Sequence, residues 1–395
     1  MRYLNAVNQR FYSLDIFRGA TVALMILVNN PGSWQHIYTP LEHAAWHGCT
    51  PTDLVFPFFL FAVGNAMAFV MPKLEAAGTA LFLKKVFKRA ILIFAIGLFL
   101  NWAPFVSWNG DQLVFRHWVN PVNPGMGIRI LGVLQRIALC YLFASLIIYF
   151  LKPRGAFVAA AVLLLGYWAV CLLANPADPY SISGWFGTSI DKKILGIPHM
   201  YKGEGIAFDP EGLMSTLPAI AQVIFGYLVG SYIIQKGKTF EMCTGLFVTA
   251  GVLLFAGFCW HMVFPINKKI WTSSFVIYTT GLAIFTLAIM IYLVELRGRK
   301  AAITKFFDVF GKNPLFIFFL SGFLPRILGL LRWTDHTGPD GKPVYTSTLP
   351  WFYEHVCKNV SVNLNNGSLL YALCIVGFYW LVAYWLDRKK IYIKV

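Results

Sequence analysis

Ten apolar stretches constrain what this 395-residue chain can fold into. A helix needs about 20 consecutive apolar residues to cross the hydrocarbon core of a bilayer. Stretches close to this length occupy residues 16-33, 52-71, 90-107, 129-150, 156-174, 213-234, 243-263, 272-294, 306-324 and 368-386. Only 13% of the residues are charged, which is about half the share usual in soluble domains. The sequence therefore predicts an all-α polytopic membrane protein of about 10 transmembrane helices, forming a single transmembrane domain over residues 1-395.

The distribution of lysine and arginine predicts how the helices are oriented. The net charge is +16, yet the basic residues are scattered between the apolar stretches and form no single basic face. This pattern argues against a nucleic-acid partner and is typical of loops that contact anionic membrane lipids. Most of these residues fall on one side if both termini are cytoplasmic, which places residues 29-52 on the outer side. The outer loops at 108-128, 175-212 and 325-367 are rich in turn residues, so we expect irregular loops that cap the bundle.

The loop between the first two stretches carries more chemistry than a connector needs. It holds three histidines, a carboxylate and two tryptophans, and two asparagines precede them. These residues are His36, His43, His47, Glu42, Trp34, Trp46, Asn29 and Asn30. An imidazole changes its charge near neutral pH, so one histidine could act as a general base or carry an acyl group, with Asn29 holding an oxyanion or orienting the ring. The competing interpretation is a polar outer loop whose histidines are merely hydrated.

A metal site is not expected in this loop. His43 and His47 would share one face of a helix, but Gly48 and Pro51 argue against a long helix here. The HExxH pattern of many zinc enzymes does not occur. The seven cysteines form no CxxC pair, and a disulfide between Cys49 and Cys357, both in outer loops, stays open.

Asp53 opens the second apolar stretch and has two interpretations. As a helix N-cap, its carboxylate would accept a hydrogen bond from an early helix N–H. Thr50 or Thr52 could provide the cap instead, which would free Asp53 to orient a histidine. The sequence favours neither interpretation over the other.

Charged and amide side chains within the apolar stretches are candidate binding residues, because placing them in a membrane is costly. Asp15 and Arg18 share one helix face, and they either form a local ion pair or leave Arg18 to bind a phosphate. Arg136 either pairs with a carboxylate such as Asp53 or contacts a substrate. Asn313, beside a proline, either caps a broken helix or donates to a ligand.

A basic cluster lies before the third apolar stretch, on the predicted inner side. It consists of Lys84, Lys85, Lys88 and Arg89. Clusters of this kind commonly bind lipid headgroups. This one would also suit a polyanionic cofactor that arrives from the cytoplasm.

Several segments of the chain resemble the heparan-α-glucosaminide N-acetyltransferase family of transmembrane acyltransferases, in particular its bacterial members. They are SLDIFRG, ILVNN, HAAWHG, TDLVFPFFLFAVGNAM, GVLQRI, FDPEGLMSTLPAIAQVIFGYLVG, FPINKKIWTSSFVIYTTGLA and FGKNPLFIF. They cover nearly the whole chain in the family's order. Two features depart from the family's pattern: His47 follows Trp46 where the family commonly has asparagine, and the segment after Asn29 is longer and lacks a glycine run.

The resemblance implies a membrane enzyme that takes acetyl from cytosolic acetyl-CoA and passes it to the amine of a terminal glucosamine on the far side. The family's essential histidine corresponds to His43. Its asparagine at the end of the first span corresponds to Asn29, and its aspartate after the loop to Asp53. These three residues are the expected catalytic group.

The expected binding residues follow from the same mechanism. Acetyl-CoA is expected as a co-substrate, without a metal, and its predicted contacts are Arg18, Lys84, Lys85, Lys88, Arg89, Arg136 and Asn313. The amino-sugar or glycan acceptor is predicted to contact Trp34, Trp46, Glu42 and His47. The expected location is the bacterial inner (cytoplasmic) membrane, and a homodimer stays open.

Other functions are compatible with the same sequence. An O-acyltransferase of a cell-envelope glycan would use the same histidine with a hydroxyl acceptor. A transporter or flippase of a sugar or lipid-linked substrate would share the apolar stretches but need no essential imidazole. Direct transfer and an acetyl-histidine intermediate also remain alternatives, as does the length of the acyl chain.

Overall fold

The computed structural model describes residues 11–299 and 301–393 of the chain. In this part the major helices are α1 (Tyr12–Asn29), α2 (Val55–Ala76), α3 (Thr79–Trp102), α4 (Val133–Ala174), α5 (Gly187–Ile194), α6 (Leu213–Lys236), α7 (Phe240–His261), α8 (Ser273–Ile291), α9 (Ala302–Lys312), α10 (Pro314–Leu328), α11 (Thr348–Phe352) and α12 (Leu364–Arg388). The strands are β1 (Val106–Asn109), β2 (Gln112–Phe115), β3 (Arg332–Thr337) and β4 (Pro343–Ser347). Four basic residues used in the orientation argument lie outside the described residues, namely Arg2, Arg10, Lys300 and Lys394.

Within the described residues, seven helices are long and apolar enough to cross a membrane. They are Tyr12–Asn29, Pro51–Ala76, Val133–Ala174, Leu213–Lys236, Phe240–His261, Ser273–Leu296 and Leu364–Arg388. An eighth candidate is the pair formed by α9 and α10, which is bent by 78° at Asn313. The prediction of an all-α polytopic membrane protein is confirmed, whereas the number of ten crossings stays a prediction.

All ten predicted stretches overlap described helices, although their boundaries shift and one of them, 90-107, lies on α3, which is not among these candidate spans. Two stretches share α4, which is interrupted at Lys152 (φ 59°), directly before Pro153. A proline disfavours helical backbone at the residue before it, which explains the position of the break. The stretch 90-107 runs past the end of α3, because the chain becomes extended at Ala103 and Pro104 follows.

The loops that were predicted to lie outside are less irregular than the sequence predicted. Strand β1 pairs antiparallel with β2, and β3 pairs antiparallel with β4. The first hairpin turns at Gly110-Asp111, because Asn109 still pairs with Gln112, and the loop of the second contains Asp340-Gly341. The two glycines have φ angles of 57° and 75°. Gly-Asp and Asp-Gly are hairpin signals because glycine adopts positive φ without strain, so these dipeptides could have predicted the hairpins.

Helices α2 and α6 pack backbone against backbone. Gly64 lies against the carbonyl of Val223, and Gly226 lies against the carbonyl of Phe61, so a Cβ at either glycine would overlap these atoms. The side chain of Asn65 donates to the carbonyl of Gly226 at 3.1 Å. Small residues are what allow helices to approach this closely in a membrane. The α2–α6 pair is thus rigid, and residues at both ends of α2 belong to the candidate site.

Candidate functional site

Residues 30–50 form the loop between α1 and α2, which we call the histidine loop. Gly48 has a φ of 116°, and its N–H donates to the carbonyl of Ile266 at 2.7 Å. Near the other end, the N–H of Ser33 donates to Ser368 Oγ at 3.1 Å. The histidine loop is therefore attached to two distant parts of the chain and is held against the bundle.

Asp53 both closes the start of α2 and faces the histidine loop. One oxygen, Oδ2, accepts hydrogen bonds from Ala44 N (3.1 Å), Thr50 N (3.0 Å) and Thr50 Oγ1 (3.1 Å). Thr50 and Asp53 form a capping box, with Pro51 in the first turn. The other oxygen, Oδ1, lies 2.6 Å from His43 Nδ1. Thr50 is therefore the N-cap, as one of the two interpretations allowed, while Asp53 lies at the third position of the turn and contacts His43 instead of being the N-cap itself.

His43 is held in one orientation by this contact. A carboxylate can only accept hydrogen bonds, so at 2.6 Å the Nδ1 atom of His43 carries the proton. The side chain of Asp53 is 1% exposed and that of His43 is 44% exposed. In the neutral ring this arrangement puts the lone pair on Nε2, which can then take a proton or attack a carbonyl carbon, while the aspartate fixes the tautomer.

Lys268 is a third member of this group, and sequence reasoning missed it. Its Nζ lies 3.1 Å from His43 Nδ1, 3.4 Å from His43 Nε2 and 3.5 Å from Asp53 Oδ1. Burial lowers the pKa of the Lys268 ammonium, and the carboxylates of Asp53 and Glu211 counteract only part of this effect. The available signal was a pair of lysines in a short polar loop between two apolar stretches.

The loop that carries Lys268 is rigidly built. Asn267 is fully buried; its Oδ1 accepts from Ile270 N at 3.0 Å, and its own N–H donates to Thr272 Oγ1 at 3.0 Å. Trp271 is buried with a φ of 51°, an unfavourable conformation that the surrounding packing must hold. The position of the Lys268 backbone is therefore fixed by its neighbours.

A second charged cluster lies behind this group. Arg129 donates to both oxygens of the buried Asp209, at 3.1 and 2.6 Å, and also binds Glu211. The guanidinium lies 4.8 Å from the ring centre of Tyr201. Burial would raise the pKa of Glu211, but Arg129 and Arg136 lower it, so the carboxyl stays ionised. Asp209 and Glu211 lie in the FDPEG segment, which carried the resemblance but was not predicted to form a charged cluster.

Arg136 does not pair with Asp53, which was one of its two predicted roles. Its Nη2 donates to the carbonyl of Gly212 at 3.2 Å and also binds Ser215 Oγ. The guanidinium is buried, 5.1 Å from the ring centre of Trp271. Its Nε and Nη1 have no hydrogen-bond partner among the described residues. Contact with a substrate, the other predicted role, stays a prediction.

The predicted acceptor-binding residues are not all brought together. Trp46 is half-buried, with its Nε1 donating to the carbonyl of Tyr180 at 2.8 Å, so the 175–212 loop does cover the histidine loop. His47 Nδ1 lies 3.4 Å from Asn267 Nδ2, and burial lowers the pKa of this imidazole. Glu42 is exposed beside His43, and Trp34 is 69% exposed.

Asn29 is the last residue of α1 and is exposed. No hydrogen bond joins it to His43 within the described part of the chain. Its neighbour Asn30 donates to the carbonyl of Ile26 at 2.8 Å. The predicted role of Asn29 at an oxyanion stays a prediction.

A cavity of about 170 Å³ runs along α2 away from Asp53. Its walls include Phe59 and Leu74, which are about 22 Å apart along a helix axis. Most of the lining is apolar, and the two cationic side chains in it are Arg18 and Arg89. Arg18 also forms an ion pair with Asp15, as one interpretation of the sequence predicted. The cavity therefore has an apolar passage and a cationic part near Arg18.

The remaining predicted cofactor residues lie elsewhere. Lys84, Lys85 and Lys88 are exposed on α3 and do not line this cavity. Asn313 is at the bend between α9 and α10, where its Nδ2 donates to the carbonyl of Ile391 and its Oδ1 accepts from Ile393 N. Asn313 thus occupies the N-cap position of α10, but its amide makes no cap hydrogen bond and instead binds the C-terminal segment; donation to a ligand, the other predicted role, stays a prediction.

Metal ligands and disulfides do not shape the described site. No group of three or more His, Cys, Asp or Glu side chains in the described residues is placed to hold a metal ion. All seven cysteines of the sequence lie in the described part and are free thiols, including Cys49 and Cys357. Burial raises the pKa of Cys49 to about 12, so this thiol beside Asp53 stays protonated at neutral pH.

Comparison with known proteins places these residues in a family. A family model described as "Heparan-alpha-glucosaminide N-acetyltransferase, catalytic" matches residues 10–257. The human protein named heparan-alpha-glucosaminide N-acetyltransferase is 24% identical over 453 aligned residues, which cover 99% of this chain and 61% of the human protein. The mouse protein of the same name is 24% identical over 369 residues, covering 78% of this chain and 53% of the mouse protein. The chain thus spans less than two thirds of the length of either relative.

Proposed function

Because the chain belongs to the heparan-alpha-glucosaminide N-acetyltransferase catalytic family, we propose that it is a transmembrane acyltransferase that moves acetyl from acetyl-CoA to the amine of a glucosamine-like amino sugar. One observation carries this proposal: Asp53 holds Nδ1 of His43 at 2.6 Å and leaves Nε2 facing away from it. Both relatives are named as N-acetyltransferases of a glucosaminide. The chemistry of the site and the names of the relatives agree.

In the proposed reaction, the Nε2 atom of His43 does the work of a base or of a nucleophile. As a base, it accepts a proton from the amine while the amine nitrogen attacks the thioester carbonyl. As a nucleophile, it attacks the carbonyl itself and carries the acetyl group until the amine receives it. Both routes release CoA as a thiol. They differ in whether an acetylated enzyme can be trapped.

The cavity along α2 supports a route for the donor. The phosphates of acetyl-CoA would bind Arg18 and Arg89, which lie in the cavity wall. The exposed lysines of α3, Lys84, Lys85 and Lys88, would raise the local concentration of the anionic donor. The uncharged arm that carries the thioester would then follow the apolar passage toward Asp53. The lysine and arginine distribution favours the cytoplasm as the side of entry. The resemblance to bacterial members of the family implies the bacterial inner membrane as the location.

The acceptor would bind at the histidine loop. Glu42 is an exposed carboxylate next to His43 in sequence, and it could attract a protonated amine. Trp46 and His47 border the same loop, and an aromatic ring such as that of Trp46 can pack on a sugar. An amine acceptor and a hydroxyl acceptor differ at these contacts only in charge, so the experiment has to offer both kinds of acceptor.

The experiment supplies purified protein in detergent with radiolabelled acetyl-CoA and glucosamine. We expect label to reach the sugar with the unmodified protein and not with His43→Ala. The matched control is His36→Ala, which removes an imidazole from the same loop without touching Asp53, and it should retain activity.

Other outcomes would point to the rival functions. If label reaches a polyol or a glycan without free amines equally well, the acceptor group is a hydroxyl and the protein is an O-acyltransferase. If the protein neither binds nor consumes acetyl-CoA, the acyltransferase proposal fails and a transporter becomes the better reading. If His43→Ala stays fully active, the histidine is not the reacting group.

A further inference from the structure

We propose that Lys268 is the catalytic residue that stabilises the oxyanion formed during acetyl transfer. The inference rests on the proposed function and goes beyond it, because the sequence pattern suggested Asn29 for this role. Any attack on a thioester carbonyl turns the carbonyl oxygen into an anion, which needs a positive charge or hydrogen-bond donors within reach. A group of the described site therefore has to supply this positive charge or these donors beside the reacting nitrogen of His43.

Lys268 is placed at the reacting nitrogen. Its Nζ is 3.4 Å from His43 Nε2 and 3.1 Å from Nδ1. The proton on Nδ1 points to Asp53, so the ammonium is not held as a simple donor to that atom. The similar distances place it beside the ring, within reach of both nitrogens. An acyl carbon that meets Nε2, or an amine that Nε2 deprotonates, brings the carbonyl oxygen next to this ammonium.

The surroundings of Lys268 favour an electrostatic role. Its side chain is 21% exposed, so its charge is only partly screened by water. Asp53, at 3.5 Å, and Glu211 both favour the ammonium form. The buried amide of Asn267 fixes the loop that carries it. A cation held in place before the reaction needs little reorganisation when the oxyanion forms.

Asn29 lacks these features in the described structure. It is exposed at the end of α1, and no hydrogen bond links it to His43 within the described residues. An amide also carries no net charge. The positive charge nearest the reacting imidazole is that of Lys268.

The amine nitrogen forms a bond to the carbonyl carbon, its proton passes to His43 Nε2, and the carbonyl π electrons move to oxygen. Lys268 stabilises this oxyanion. The oxyanion then reforms the carbonyl, the carbon–sulfur bond breaks, and the CoA thiolate takes the proton from His43. If His43 Nε2 attacks first, the same oxyanion forms on the acetyl group that it receives.

The test compares Lys268→Met, Lys268→Arg and Lys269→Met in the acetyl-transfer assay. Lys269 is the matched control because it lies in the same loop but binds the carbonyl of Ala45 (2.8 Å) and Glu204 (2.6 Å) instead of His43. Removing one oxyanion-stabilising group typically costs about 10²–10³ in kcat. We expect this loss for Lys268→Met with unchanged KM for both substrates, a partial recovery for Lys268→Arg, and a loss below about tenfold for Lys269→Met.

Three results would overturn the inference. An unchanged kcat in Lys268→Met would remove the residue from the chemistry, and a raised KM with unchanged kcat would make it a binding residue. An equal loss in Lys269→Met, with lower thermal stability in both, would make the loop structure the cause. Failure of the proposed function is a separate outcome, because in that case the unmodified protein transfers no acetyl.

Discussion

Replacing Asp53 by asparagine tests whether the aspartate sets the tautomer of His43. The new amide can turn its oxygen toward Ala44 N and Thr50 N, which now donate to Asp53 Oδ2 at 3.1 and 3.0 Å. Its NH₂ group then faces His43 Nδ1 and donates to it. That hydrogen bond places the imidazole proton on Nε2, so Nε2 can neither accept a proton nor attack a carbonyl.

The size of the effect follows from the cost of the opposite orientation. Turning the amide around restores the active tautomer, but its NH₂ group then faces the two backbone N–H groups of Ala44 and Thr50. Two hydrogen bonds are lost, at about 1–1.5 kcal/mol each, or about 2–3 kcal/mol in total. Since about 1.4 kcal/mol corresponds to a factor of ten, we expect Asp53→Asn to lower kcat by about 30- to 150-fold.

The assay measures kcat and KM for acetyl transfer to glucosamine, together with the thermal stability of each variant. Thr50→Ala is the matched control, because it removes a hydroxyl from the same carboxylate oxygen but leaves the contact between His43 and Asp53 in place. It should lose about 1 kcal/mol of stability as a lost cap and retain kcat. Asp53→Asn with kcat close to that of the unmodified protein, or Thr50→Ala with an equal loss, would refute the tautomer argument.

Three further predictions follow from the structure. Arg89→Gln should raise the KM for acetyl-CoA by about tenfold or more, because a charge-assisted contact is lost. Arg154 is exposed outside the cavity, so Arg154→Gln should leave this KM unchanged, and equal KM values in the two variants would remove Arg89 from the donor site. Burial raises the pKa of Asp191 from 3.8 to about 6, so the folded state binds the proton more tightly and the free energy of unfolding falls as pH rises through this window. Asp191→Asn should therefore be more stable by up to about 3 kcal/mol at pH 7.5 and by less at pH 5. A melting temperature with no pH-dependent gain would contradict this. Burial lowers the pKa of Lys268, which faces His43, Asp53, Glu211 and Cys49, so kcat of the unmodified protein should fall at alkaline pH. Lys268→Arg should keep its own kcat to higher pH because arginine stays charged. The same alkaline fall of kcat in both proteins would argue against an ammonium in the reaction.

The helices and the pairing of His43 with Asp53 could be predicted from the sequence for physical reasons. A run of apolar residues long enough for a bilayer satisfies its backbone only as a helix. His43 and Asp53 are separated by a short loop that ends in a helix cap, so their contact depends mainly on local structure. The residue types alone left two roles open for Asp53, and the structure shows the one in which Thr50 is the cap and Asp53 contacts a histidine. The resemblance, and not the residue types, singled out His43.

Lys268 could not be found in the same way. It lies 225 residues from His43, and its contact depends on how α7 and α8 are placed beside the start of α2. Arg136 shows the same limit, because its pairing with Gly212 and Ser215 rather than Asp53 depends on the rotation of α4 about its axis. Apolar periodicity is weak in helices that are apolar on all sides, so the sequence does not determine this rotation.

The glycine contacts of the α2–α6 pair limit how far these two helices can move relative to each other. At Gly64 and Gly226 the two helices approach so closely that sliding past each other would bring backbone atoms into overlap, and separating them would lose this contact. Asp53 at one end of α2 and the cavity wall at Phe59 and Leu74 therefore belong to one stiff rod. A protein built around such a rod is poorly suited to opening alternately toward its two ends. In the proposed reaction, the acetyl group would therefore reach a stationary His43 through the length of its own donor.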